Sequence, residues 1–231
     1  MQTLTPVRGG AYARRMARSS ETPAAPRVSP PDLPDALTPA EPARRADLLA
    51  SRLALSGDVD LAHSTLEQCV VTADADTIDM TGADVMDVDV TGIRAASLKL
   101  RDAGIRRLRI TGGRIGTLDL STTRIGELEL RDLRIDFLNL GAAKGADILI
   151  ADCTIRALDM PQAQLTRLRF DGCRSDEVDP RGLRATDVDL RGLDALAYMD
   201  TNSLRGATLS TFQVQQLAPA LAAGVGIDVR D

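Results

Sequence analysis

From residue 80 to residue 170 every fifth position is apolar. Met80, Val85, Val90, Ala95, Leu100, Ile105, Ile110, Ile115, Leu120, Ile125, Leu130, Ile135, Leu140, Ile150, Ile155, Met160, Leu165 and Phe170 hold the phase, and Gly145 is the one member not clearly apolar. A second series runs two residues earlier. It is large at Ile78, Val88, Leu98, Leu108, Leu118, Leu128, Leu138, Ile148, Leu158 and Leu168, and mostly small between them, as at Ala83, Ala103, Gly113, Thr123, Ala143, Cys153, Ala163 and Cys173. An amphipathic helix repeats every three or four residues, and a plain strand alternates without interruption. A period of five instead sends two side chains inward per unit and leaves three residues to turn a corner. A chain that turns the same way every five residues winds into a coil, and successive coils stack as a parallel ladder.

The size alternation of ten requires an even number of sides. Likeness at a spacing of twenty (Met80, Leu100, Leu120, Leu140, Met160; Ile115, Ile135, Ile155) predicts four sides and twenty residues per coil. The predicted core includes Leu100, Ile110, Leu118, Leu120, Leu128, Leu130, Leu138, Leu140 and Phe170. A leucine-rich repeat needs 20 or more residues per unit, which a recurrence of ten does not leave room for. A hexapeptide helix needs a period of six.

The phase is displaced by one residue before Met80, at Val59/Leu61, Ser64/Leu66 and Cys69/Val71, which predicts a bulge between about 71 and 75. The segment 44–55 fits either a short helix or the start of the repeat. After Leu196 the register is lost. Residues 209–224 read as a helix with Ser210 or Thr211 at its N-cap, Pro219 within it and Gly224 at its end, and 225–229 as an edge strand. This helix either caps the open end of the stack or makes a dimer contact. At the other end, residues 1–42 hold eight of the eleven prolines, so 1 to about 30 is expected to be disordered and 31–42 extended. The tail arginines Arg8, Arg14, Arg15 and Arg18 form either a basic arm or simply a solvated tail. The expected organisation is thus a tail over 1–42, a β-helix over 43–196 and a cap over 197–231.

Composition adds constraints. Hydrophobic residues make up 44% of the 231 residues but aromatics only 2%, which suits a narrow interior filled with aliphatic side chains. The net charge of −5 argues against direct nucleic-acid binding. Cys69, Cys153 and Cys173 form no CxxC or metal-ligand cluster, and they suit a reducing cytoplasm. No apolar run is long enough to span a membrane, and the N-terminus has no apolar signal core. Arginine outnumbers lysine 26 to two, in keeping with a GC-rich bacterial genome. No catalytic motif, cofactor-binding motif or metal site is legible, so no enzyme and no cofactor are expected. The single histidine, His63, falls at an outward corner. Residues 56–93 carry nine acidic residues and no Lys or Arg. Asp74, Asp76, Asp79, Asp84, Asp87 and Asp89 are therefore a candidate acidic interaction surface, unless Asp is only the usual outward residue of the repeat.

The units "ADV" (83–85), "VDV" (88–90), "LDL" (118–120), "LNL" (138–140), "LDM" (158–160) and "VDL" (188–190) resemble those of the pentapeptide-repeat proteins over roughly residues 46–196. Leu or Ile stands on alternate units where that family most often has Ala. The resemblance implies an all-β fold, a right-handed quadrilateral parallel β-helix of about seven coils with a C-terminal capping helix. It also implies a protein partner, and a homodimer through C-terminal elements. Some bacterial members bind DNA gyrase as DNA mimics and protect it from quinolone-type inhibitors. Two readings follow: a scaffolding or interaction solenoid whose partner is unknown, or a DNA-mimicking modulator of gyrase. Under the second, Asp84, Asp87 and Asp89 are the carboxylates expected to matter.

Overall fold

The structure is a computed structural model and describes residues 22–230. It is a parallel β-solenoid of eight turns, right-handed and four-sided, closed at its C-terminal end by one helix. Every strand pairing is parallel, and the pairings Gly104↔Arg124, Arg124↔Lys144 and Lys144↔Gln164 fix twenty residues per coil. The coils exceed the expected seven because pairing begins earlier, at Thr38↔Ser51 and Asp47↔Thr65. It also ends later, at Val188↔Ala207. The ambiguous segment 44–55 is strand, in Asp47–Leu49 and Ser51–Asp60. The first coils are shorter: Asp47 pairs with Thr65 and Thr65 with Asp84. The register is made up to twenty by shifts at Gly57/Asp58 and between Val71 and Asp74, the second of which lies where the sequence changes phase.

The inward columns form one continuous core. Leu118, Leu120, Leu130 and Leu138 are fully enclosed, and Leu100, Ile110, Leu128, Leu140 and Phe170 are each 1% exposed. Each such leucine contributes about 2 kcal/mol of apolar burial. The enclosed Thr123 hydroxyl donates to the Leu100 carbonyl at 2.6 Å, so no buried polar group is left open there.

The corners explain the outward aspartates. Asp79, Asp119, Asp179 and Asp189 each accept the backbone N–H two residues on, from Thr81, Ser121, Arg181 and Arg191, at 2.9–3.1 Å. Such an Asx turn holds the bend. Many corners also need a left-handed residue. Gly82, Gly92, Gly112 and Gly182 supply it without steric cost, whereas Thr122 (φ 59°) and Ala142 (φ 54°) adopt it against their preference. His63 is an exposed corner residue of this kind (φ 60°), and its ring lies over Gly82 of the next coil.

The C-terminal helix α1 (Thr211–Gly224) starts at Ser210, whose hydroxyl accepts the Gln213 amide, while the Gln213 side chain accepts the Ser210 amide. The other end of the same Gln213 side chain donates to the Leu190 and Leu193 carbonyls, both at 2.8 Å. One glutamine thus starts the helix and satisfies edge carbonyls of the terminal coil. Pro219 lies inside the helix. Residues 225–229, expected as an edge strand, form a turn and irregular chain instead, since the last carbonyls of α1 bond Val225, Gly226 and Ile227.

The proline-rich segment over 22–37 has no regular secondary structure, as its composition dictates, yet it is laid along the outside of the rod. Its backbone N–H groups at Arg27, Ser29 and Asp32 donate to Asp147, Glu127 and Asp87, at 2.8, 3.0 and 2.9 Å. These carboxylates occupy one column, three coil steps from first to last, or about 14 Å. Five residues of extended chain cover about 15 Å, so the strap runs straight down the column. Pro31 is buried against the rod. The arm arginines Arg8, Arg14, Arg15 and Arg18 lie outside the described residues.

Candidate interaction surfaces

The acidic cluster is placed on the outside of the early coils, and most of it is paired from the next coil. Asp74 meets Arg94 at 3.3 Å, Asp79 meets Lys99 at 4.0 Å, and Asp87 meets Arg107 at 2.6 Å. Asp89 takes two bonds from Arg109, at 2.9 and 2.6 Å. In all four the base stands twenty residues on, one coil step away. Asp87 also receives the strap at Asp32. Asp76 and Asp84 are exposed and make no ion pair among the described residues. The cluster that is isolated in the linear sequence is therefore neutralised in space at four of its six positions. A search for opposite charges at a spacing of twenty would have found the pairs once the coil length was known.

The same rule builds the column under the strap. Asp87, Arg107, Glu127, Asp147 and Arg167 follow one another at twenty-residue steps. Arg107 bonds Asp87 and approaches Glu127 at 3.6 Å, and Arg167 bonds Asp147 at 2.6 Å. The Arg167 guanidinium, together with the Arg27 amide, holds the Asp147 carboxyl below the usual carboxylate range against the opposing effect of burial.

Beside the strap, on the same side of the rod, lies an open groove of about 700 Å³ that runs across five coils. Its floor exists because side chains are missing: Gly104 and Gly126 stand where neighbouring coils carry outward side chains. An added Cβ at Gly126 would lie 3.0 Å from the Arg106 carbonyl, a tight contact that would make the neighbouring backbone yield. Glu67 and Asp84 line the groove at its N-terminal end, and Arg106, Arg124 and Lys144 line the rest. These three cations are exposed, and none has a carboxylate within 4.0 Å among the described residues. Arg106 touches only the Met86 thioether, at 3.2 Å. Arg124 and Lys144 are direct ladder partners, one step apart.

A second groove, of about 630 Å³, separates α1 from the last coils and is lined by Arg174, Tyr198, Phe212 and Gln216 among others. Burial pushes the Tyr198 phenol up to about 12. Leu196 and Phe212 of the groove lining, and Met199, Val225, Ile227 and Val229 elsewhere in the C-terminal segment, remain exposed. The three cysteines are free thiols inside the rod. Cys153 and Cys173 stand one coil apart and donate to the carbonyls of Ala151 and Asp171, at 3.1 and 3.3 Å. Among the described residues no group of three His, Cys, Asp or Glu is arranged to hold a metal ion, and no helix is long and apolar enough to cross a membrane.

No family model matches the chain, and no curated protein does. Among solved structures it is similar to QnrB1, described as a plasmid-mediated fluoroquinolone resistance protein. The identity is 15%, over 78% of this chain and 98% of that one, with a TM-score of 0.21. The fold assignment rests on the structure itself, through the coil of twenty residues and the parallel register.

Proposed function

We propose that the protein is a non-enzymatic interaction solenoid that presents columns of charge to a protein partner and binds no cofactor. One observation carries this reading. Many acidic and basic side chains are consumed in corner turns and coil-to-coil pairs, while one open groove gathers three cations that make no ion pair among the described residues. The interior is apolar and closed, so it offers no chamber for chemistry. The three buried free thiols suit a reducing bacterial cytoplasm. The exposed apolar residues around α1 support a homodimer through the C-terminal segment, which light scattering of the purified chain tests directly. The interaction role is tested by crosslinking the full chain in its source cells. A saturable partner adduct is the expected result, and absence of any adduct overturns the role.

The gyrase reading draws on the family resemblance and on the unpaired carboxylates of Asp76 and Asp84. The coil-to-coil pairing of Asp74, Asp79, Asp87 and Asp89 weighs against it, because a DNA mimic must offer free charge. Supercoiling by gyrase from the source organism, titrated with this protein with and without a quinolone, decides it. Inhibition or drug protection puts this reading first.

A further inference from the structure

We infer that the groove between Asp84 and Lys144 docks an extended acidic segment of a partner protein, with its carboxylates over Arg106, Arg124 and Lys144 and a basic residue over Asp84 and Glu67. The inference deepens the interaction role proposed above and rests on it.

Three features lead here. First, the groove is long and shallow. It crosses five coils, four ladder steps or about 19 Å, which is the length of about six residues of extended chain. That shape suits a strand-like segment and gives a small molecule little enclosure. Second, its charge is unsatisfied. Arg124 and Lys144 are direct ladder partners, and like charges placed opposite each other destabilise a sheet. On the neighbouring column the same spacing pairs acid with base at Asp87–Arg107 and Asp147–Arg167, and where it sets Glu127 beside Asp147 the strap amides of Ser29 and Arg27 bond the two carboxylates. An acidic ligand would relieve the repulsion that the fold leaves in place. Third, the rod already holds a chain in this manner. The strap over 22–37 lies on the neighbouring column in extended form, fixed by backbone N–H groups to three carboxylates spread over four coils. The strap leaves the groove itself open.

The acid-to-base order along the groove gives it a direction. The net charge of −5 and the carboxylates on the adjoining column disfavour a phosphodiester chain, which would lie alongside Asp87, Glu127 and Asp147. A peptide can instead alternate carboxylates toward the groove with neutral residues toward solvent.

The test uses the full chain and a fluorescein-labelled heptapeptide, whose ends lie about 20 Å apart when extended. The peptide carries three glutamates on alternate positions, followed two residues on by one lysine. Fluorescence anisotropy at low salt should give saturable binding. The combined Arg106→Ala, Arg124→Ala and Lys144→Ala variant should bind at least tenfold more weakly with an unchanged circular dichroism spectrum, because all three residues are exposed. A peptide of the same composition with acidic and basic residues interspersed should bind at least threefold more weakly. Equal binding by parent and variant, or no binding by the parent, overturns the groove assignment. A DNA duplex bound as tightly as the peptide, and lost in the variant, overturns the choice of ligand. Crosslinking in cells separates this inference from the broader role. Adducts kept by the triple variant overturn the groove and leave the role, and adducts absent from both overturn the two together.

Discussion

The carboxylate of Asp119 accepts the Ser121 amide at 3.0 Å and the Asn139 side-chain amide at 3.1 Å, while the next residue, Leu120, is fully enclosed between coils. Leu120→Asp places an unpaired charge among stacked leucines and should cost about 4 kcal/mol or more, enough to unfold the rod. Asp119→Ala loses a turn and a cross-coil bond and should cost about 1 kcal/mol. The sequence pattern alone suggests that this second change matters little; the Asx turn gives it a measurable cost. Urea denaturation of both variants checks the contrast, and equal costs would refute the inward and outward assignment. At the corners, Ala142 sits at φ 54°. Ala142→Gly relieves the left-handed strain and should raise stability by about 0.5–1 kcal/mol despite the greater freedom of glycine when unfolded.

At the scale of elements, the helix and the strap are both held by few bonds. Helix α1 has no buried residue, and it is attached through Gln213, the partly buried Leu217 and a bond from the Thr201 hydroxyl to the Ala220 carbonyl. Gln213→Ala removes the capping box and leaves the Leu190 and Leu193 carbonyls without their side-chain donor. The expected loss is about 2 kcal/mol, felt first as faster hydrogen exchange in 211–224 and in the terminal coil. Exchange that rises throughout the rod would instead mean that the cap nucleates the whole stack. The helix was legible from its caps. The strap was not, because a proline-rich stretch has no internal periodicity to show that it lies against anything. What holds it is a column of carboxylates scattered from residue 87 to residue 147.

Taken whole, the molecule is a one-dimensional stack, so its acid stability follows from charge pairs repeated between coils and at corners. Arg167 holds Asp147 below the usual carboxylate range, and Arg181 and Arg191 do the same for Asp179 and Asp189. A carboxyl whose folded pKa is depressed contributes stability that is complete above its unfolded value, near 4, and is lost as pH falls through the folded value. Asp159 is opposite in sign. Burial, with Asp179 nearby, raises it, so its contribution is present at low pH and lost as pH rises through its folded value. With Asp79 and Asp200, also depressed, five depressed carboxyls against one raised group predict a Tm that is level from pH 7 to 5 and falls below about pH 4. A Tm that rises on acidification would mean that repulsion among the carboxylates, and not their pairing, dominates.

The sequence by itself determined the period of five, the four sides, the inward columns, the change of phase near Val71 and the start of the final helix. The four sides are read from likeness at a spacing of twenty, and the rest depends on neighbours within a few residues: which side chains must leave water, where the phase slips, and which hydroxyl caps a helix. Only the tertiary structure decided that Asp74, Asp79, Asp87 and Asp89 are paired from the next coil, that residues 22–37 lie along one column, and that Gly104 and Gly126 open a groove walled by three cations without an ion pair among the described residues. Those outcomes depend on groups one or more coils apart. Charges act through space, so the arginine that matters to Asp87 is Arg107, twenty residues away in the chain and one ladder step away in the rod.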